Sequence, residues 1–69
     1  MTEEEAGARM TRLIGAPVRA EWKPMPYWYE LTTTISGQRM DWCMISEDFD
    51  YTDAELMEKF VNPIRSVVE

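Results

Sequence analysis

The apolar residues change period twice along this chain, and that alternation leaves few folds open. Up to Ile14 they recur every three to four positions, from Val18 to Ile45 every second position, and from Leu56 every three to four again. The outer segments carry the period of helices and the middle one the period of strands. An order of helix, strands, helix follows before any single residue is considered.

The first helix has both of its ends written in the sequence. Thr2 and Glu5 have the spacing of a capping box, with Glu3 and Glu4 in the first turn where carboxylates complement the helix dipole. Ala6, Met10, Leu13 and Ile14 form one apolar stripe. Arg9 and Arg12 suit the C-terminal half, Gly15 suits a cap, and Pro17 prevents continuation. The pattern predicts a helix over residues 2–14, within which Gly7 costs about 1 kcal/mol relative to alanine.

From Val18 the residues Val18, Ala20 and Trp22 alternate with Arg19, Glu21 and Lys23, a strand with one wet face that Pro24 and Pro26 end. A second strand over residues 27–35 puts Tyr29, Leu31, Thr33 and Ile35 on one face and Trp28, Glu30, Thr32 and Thr34 on the other. Ser36 and Gly37 make a tight turn into a third strand over 39–45, with Met40, Trp42 and Met44 opposite Asp41, Cys43 and Ile45. Residues 47–51 read as an acidic loop. Thr52 with Glu55 then opens a second helix, whose stripe is Leu56, Met57, Phe60, Val61, Ile64, Val67 and Val68. Pro63 within that stripe predicts a break or kink, with Asn62 as a new cap. The expected architecture is a single α+β domain over residues 1–69, α-β-β-β-α, with a three-stranded antiparallel sheet and helices packed on one face. The other face is left to water or to a partner.

Such a small domain often leans on a disulfide or a metal, and this one lacks the residues for either. Cys43 is the sole cysteine and there is no histidine. The core must therefore be made by packing or completed by a partner, and for packing three Trp, three Tyr, two Phe and six Met are available. Cys43, between Trp42 and Met44, is expected to be buried and inert. No apolar run approaches the roughly 18 to 20 residues needed to cross a bilayer, and glutamates stand where a signal peptide carries positive charge. The expectation is a cytoplasmic protein with no membrane partner.

Charge is distributed very unevenly. Between Asp41 and Glu58 stand seven carboxylates, Asp41, Glu47, Asp48, Asp50, Asp53, Glu55 and Glu58, with no base among them. The other six acids nearly balance the seven bases, so the net charge of -6 comes essentially from this stretch. A field of that sign attracts cationic partners and repels nucleic acid and anionic membrane.

The same segment is a poor catalytic or metal site. Nucleophilic catalysis lacks its usual histidine base, and carboxylates on a loop and a helix start are solvated rather than tuned apart. An EF-hand loop counted from Asp48 needs glycine at its sixth position and glutamate at its twelfth, where Asp53 and Lys59 stand. No glycine-rich phosphate loop exists. No enzyme activity, metal or cofactor is expected.

The α-β-β-β-α order, with a strand over 27–35, a turn at Gly37, then strand and helix, resembles the double-stranded RNA-binding domain in outline. That family grips phosphates with lysines at the start of the second helix. Here the corresponding residues are Thr52, Asp53, Ala54 and Glu55, the opposite sign. Direct nucleic-acid binding is therefore not expected.

The function expected from sequence is a small acidic protein–protein interaction domain. Its contact residues would be Glu47, Asp48, Phe49, Asp50, Tyr51 and Asp53, with Trp28 on the open sheet face, since Tyr, Trp and Met are enriched at interface cores. The partner would carry a basic surface. If that surface normally binds nucleic acid, the domain would act as a nucleic-acid mimic and inhibitor, as small acidic phage proteins such as some anti-CRISPRs do. The alternative is a homo-oligomeric structural or regulatory module, such as a homodimer, or a small subunit of a larger complex.

Overall fold

The structure, a computed structural model, describes residues 1–68. Helix α1 spans Glu3–Ile14, strands β1, β2 and β3 span Val18–Lys23, Trp28–Ile35 and Gln38–Met44, and a 3-10 turn covers Ser46–Asp50. The C-terminal helix follows as α2, Asp53–Leu56, a π turn over Met57–Val61, and α3, Asn62–Val68. The strands form an antiparallel meander in the order β1-β2-β3. The architecture is the expected α+β one. No helix among the described residues is long and apolar enough to cross a membrane.

Local chemistry sets the element ends. Thr2 and Glu5 close a reciprocal capping box at the start of α1, and Gly15 ends the helix in the left-handed region at φ 83°. The β2–β3 turn has both central residues at positive φ, Ser36 at 52° and Gly37 at 78°. That conformation matches the twist of a two-residue hairpin. The Met25–Pro26 peptide in the β1–β2 loop is cis.

The core lies between the covered sheet face and the helices. Met10 from α1, Leu31 from β2, Met44 from β3 and Leu56 and Val61 from the C-terminal helix are the largest fully buried side chains. Ala6, Ile14, Tyr29, Ile35 and Phe49 complete the cluster. The strand faces fall as the alternation predicts, with Tyr29, Leu31, Thr33 and Ile35 all buried. Thr33, the one buried polar residue among those described, donates to the Pro17 carbonyl at 2.7 Å, which removes the cost of its burial. Arg65 of α3 donates to the Ile14 carbonyl at the end of α1, joining the two helices.

Three expectations need correction. The C-terminal helix does not break at Pro63: Asn62 has helical angles, φ -62° and ψ -44°, and its N–H bonds to the Met57 carbonyl in the π turn. A proline ring presses on the carbonyl one turn before it, and a widened turn just upstream relieves that contact without ending the helix. The segment read as a loop at 47–51 is wound for most of its length into the 3-10 turn Ser46–Asp50. Cys43 is exposed rather than buried. The alternation already put it beside Asp41, on the face that the helices leave open, and the neighbours Trp42 and Met44 point the other way.

Helix α1 also guards one edge of the sheet. Glu3, Gly7 and Thr11 lie four residues apart, so they share one helix face. The Thr11 hydroxyl accepts from the Val18 N–H at 2.9 Å, and the Glu3 carboxylate accepts from the Trp22 N–H at 2.7 Å. Between them Gly7 sits on the strand itself: a Cβ there would stand 3.1 Å from the Val18 carbonyl oxygen and 3.6 Å from the Ala20 nitrogen. The glycine that looked like a defect in a helix is what lets the helix lie along the outer edge of β1. Exposed edges of this kind are otherwise templates for pairing with another chain.

Candidate functional site

The acidic segment is held in place by two arginines from the first helix. Arg9 inserts its guanidinium between the 3-10 turn and the start of α2. Its Nη1 donates to the Phe49 carbonyl at 2.7 Å, its Nη2 to the Tyr51 carbonyl at 2.6 Å, and its Nε to the Asp53 carboxylate at 3.1 Å. Arg12, one helical turn on, donates to the other Asp53 oxygen at 2.9 Å. A planar fork with donors on three separate nitrogens reaches acceptors set apart from one another, whereas a lysine offers its three donors from a single point.

These contacts sort the seven carboxylates by task. Asp53 is bonded by both arginines. Asp48 accepts the Ile45 N–H at 2.9 Å and so caps the 3-10 turn. Glu55 closes the second capping box with Thr52. Asp41 lies on the open sheet face, where it accepts from the Thr32 hydroxyl at 2.9 Å and from Arg39 at 3.3 Å. Glu47, Asp50 and Glu58 are exposed. Among the described residues these three take part in no hydrogen bond between side chains or ion pair, so their charge faces solvent.

The aromatic residues separate in the same way. Phe49 is buried and packs edge-on against Tyr29, with ring centroids 5.7 Å apart, so it anchors the segment from below. Tyr51 is half-buried, with the Lys59 ammonium 5.0 Å from its ring centroid. Trp28 is half-buried on the open face of the sheet, opposite Lys23. Phe49 and Trp28 therefore sit on opposite faces of β2. Neither the Trp28 nor the Trp42 indole N–H finds an acceptor among the described residues.

Sequence reasoning missed Arg9. Its position in the second half of α1 suggested a dipole role, and nothing local marks contacts spanning forty residues or more. The available signal was its place at the border of the apolar stripe, three residues after the buried Ala6 and four before the half-buried Leu13.

Two shifted carboxylates follow from these contacts. The guanidinium of Arg12, then that of Arg9, holds the Asp53 carboxyl below its usual value of 3.8. The Thr52 backbone N–H, then its hydroxyl, holds Glu55 below 4.5. A carboxylate depressed in the folded state contributes stability above its unfolded pKa and loses it as pH falls through the folded one. Stability is thus expected to drop as pH falls below about 4. Asp53→Asn is expected to flatten that acid limb, read from denaturant midpoints measured between pH 2 and 6. An unchanged slope would show that the two arginines do not act through the ionised carboxylate.

On the open face Glu21 and Glu30 stand directly opposite each other, a repulsive pairing. Lys23 bridges them, at 3.1 Å from Glu21 and 3.7 Å from Glu30, and the bond to Glu21 raises the lysine pKa. Among the described residues no group of three acids or cysteines is arranged to hold a metal ion. Comparison with protein-family models, with curated proteins and with solved structures yields no match.

Proposed function

We propose that this domain is a small acidic interaction module that presents Glu47, Asp50 and Glu58, together with the half-buried Tyr51, to a basic surface on another protein. Phe49 and Asp53 hold that surface from beneath and behind, and Asp48 fixes its start. The observation that supports this reading is the Arg9 clip. A purely solubilising run of acids needs no defined shape, yet this one is fixed by bonds to two main-chain carbonyls and a carboxylate from a helix far away in sequence. Preorganised charge loses less entropy on binding and gives orientation and a fast encounter.

A basic protein surface that normally holds nucleic acid is the occupant whose charge fits best, which would make the module an inhibitor by mimicry, of the kind phages and mobile elements use against CRISPR systems. Protein retained by the immobilised domain at low salt is expected to be released at high salt and by added duplex DNA. The chain carrying Glu47→Gln, Asp50→Asn and Glu58→Gln is expected to retain at least tenfold less of it, a loss of about 1.4 kcal/mol. Retention indifferent to salt and to these three substitutions would sink the proposal.

A further inference from the structure

The two edges of the sheet are treated differently. On β1 the outward N–H groups of Val18 and Trp22 are taken by Thr11 and Glu3 of α1, and Gly7 closes over the backbone between them. Because Val18 and Trp22 point outward, Arg19, Glu21 and Lys23 point at β2. Their partners Thr32, Glu30 and Trp28 point back at them, which leaves Tyr29, Leu31, Thr33 and Ile35 to bond β3 through Met44, Trp42, Met40 and Gln38. The N–H and C=O groups of Arg39, Asp41 and Cys43 therefore point away from the sheet. All three residues are exposed, and β3 is an outer strand with no further strand paired to it among the described residues. The Ile45 N–H, next in the same row, is taken by Asp48. One edge is guarded and its counterpart is bare over Arg39–Cys43.

The side chains on that bare edge select an occupant. Arg39 and Asp41 project from the open face two residues apart, with the guanidinium 3.3 Å from the carboxylate. If a second β3 runs antiparallel to the first about a twofold axis at Met40, Arg39 of each copy falls opposite Asp41 of the other, and each such pair exchanges both of its main-chain hydrogen bonds. Moving the axis to Asp41 stacks carboxylate on carboxylate, and moving it to Arg39 stacks guanidinium on guanidinium. On the covered face the same axis brings the half-buried Met40 against its own copy.

We propose that β3 pairs with the β3 of a second copy of this chain in this register, joining two sheets into one continuous sheet. The assembly goes beyond the acidic contact surface proposed above and does not depend on it, since none of Glu47, Asp50 and Glu58 takes part. Each chain brings a net charge of -6, so long-range repulsion opposes the pairing and the dimer is weak. Its population rises with concentration.

Charge exchange tests the register. Weight-average mass measured by sedimentation equilibrium is expected to rise towards that of a dimer as concentration rises into the millimolar range. Arg39→Asp and Asp41→Arg should each hold the chain monomeric, and the double variant, which restores opposite charges in reversed order, should dimerise again. Because Met40 faces Met40 in a pair without hydrogen bonds, with Cα atoms about 4.5 Å apart, the variant Met40→Cys with Cys43→Ser should form a disulfide-linked dimer under mild oxidation. The native Cys43 should not, because six residues of strand separate it from the position it would face, leaving the two thiols about 20 Å apart. A chain that stays monomeric throughout overturns the proposal, and so does a dimer indifferent to both charge reversals or one linked through Cys43.

Discussion

Arg9→Met is expected to lower the stability of the domain by about 2–3 kcal/mol, and its melting temperature by roughly 10–20 °C for a domain of this size. The methionine keeps much of the aliphatic stem, so the loss isolates the guanidinium. The Arg9 side chain is only 22% exposed, and its guanidinium donates to the Phe49 and Tyr51 carbonyls as well as to Asp53. Removing it leaves two main-chain acceptors facing an apolar methyl group, and an acceptor stripped of its donor costs more than the bond was worth. The damage should be local at first. Faster amide hydrogen exchange over Ser46–Asp53, with β2 little changed, is the expected signature. Arg9→Lys should recover only part of the loss, because an ammonium cannot span acceptors on both sides. A melting temperature within a degree or two of the unsubstituted chain would mean that the acidic segment holds its shape without the clip.

Leu31→Ala should have a larger effect and a different character. Leu31 is fully buried on the central strand, between the pairs it makes with Ala20 and Trp42. Truncating a leucine at such a site costs about 3–4 kcal/mol, since both transfer energy and an unfilled cavity count against the fold. A chain of this length is stable by only about 5 kcal/mol in total. With no disulfide to limit its unfolded state, the variant is expected to be substantially unfolded at 37 °C, and uniformly so. Circular dichroism at that temperature is the check. A cooperative transition close to that of the parent chain would mean that the core repacks around the gap.

The difference between those two substitutions matches the difference between what the sequence discloses and what it hides. Leu31 was readable because strand alternation is local: Tyr29, Leu31, Thr33 and Ile35 must share a face, and the apolar face is the buried one. Both capping boxes were readable for the same reason, as each needs only residues three apart. The exposure of Cys43 was readable from that alternation as well, and was misjudged by weighing its neighbours along the chain instead of its face. The helix continuing through Pro63 was not legible, because a proline specifies only what it forbids and a π turn is one of several ways to comply.

The site was less legible than the fold. Glu47, Asp50 and Asp53 look alike in sequence, yet two are left to solvent and one is bound to Arg9 and Arg12. Only the tertiary fold brings residue 9 to residue 53. Phe49, grouped with the acids as a contact residue, lies under them as an anchor. Gly7 carried the opposite of its local meaning, since its cost to the helix is the condition for covering β1.

The central claim is that the acidic segment, fixed by Arg9, is a contact surface for a basic protein. It is tested most directly by mapping backbone amide shifts of the labelled domain as a captured basic partner is added. The shifts are predicted to cluster at Glu47, Asp50, Tyr51 and Glu58, to shrink as salt is raised, and to vanish in the triply neutralised chain. Shifts confined to the strands, with the acidic segment silent, would contradict it.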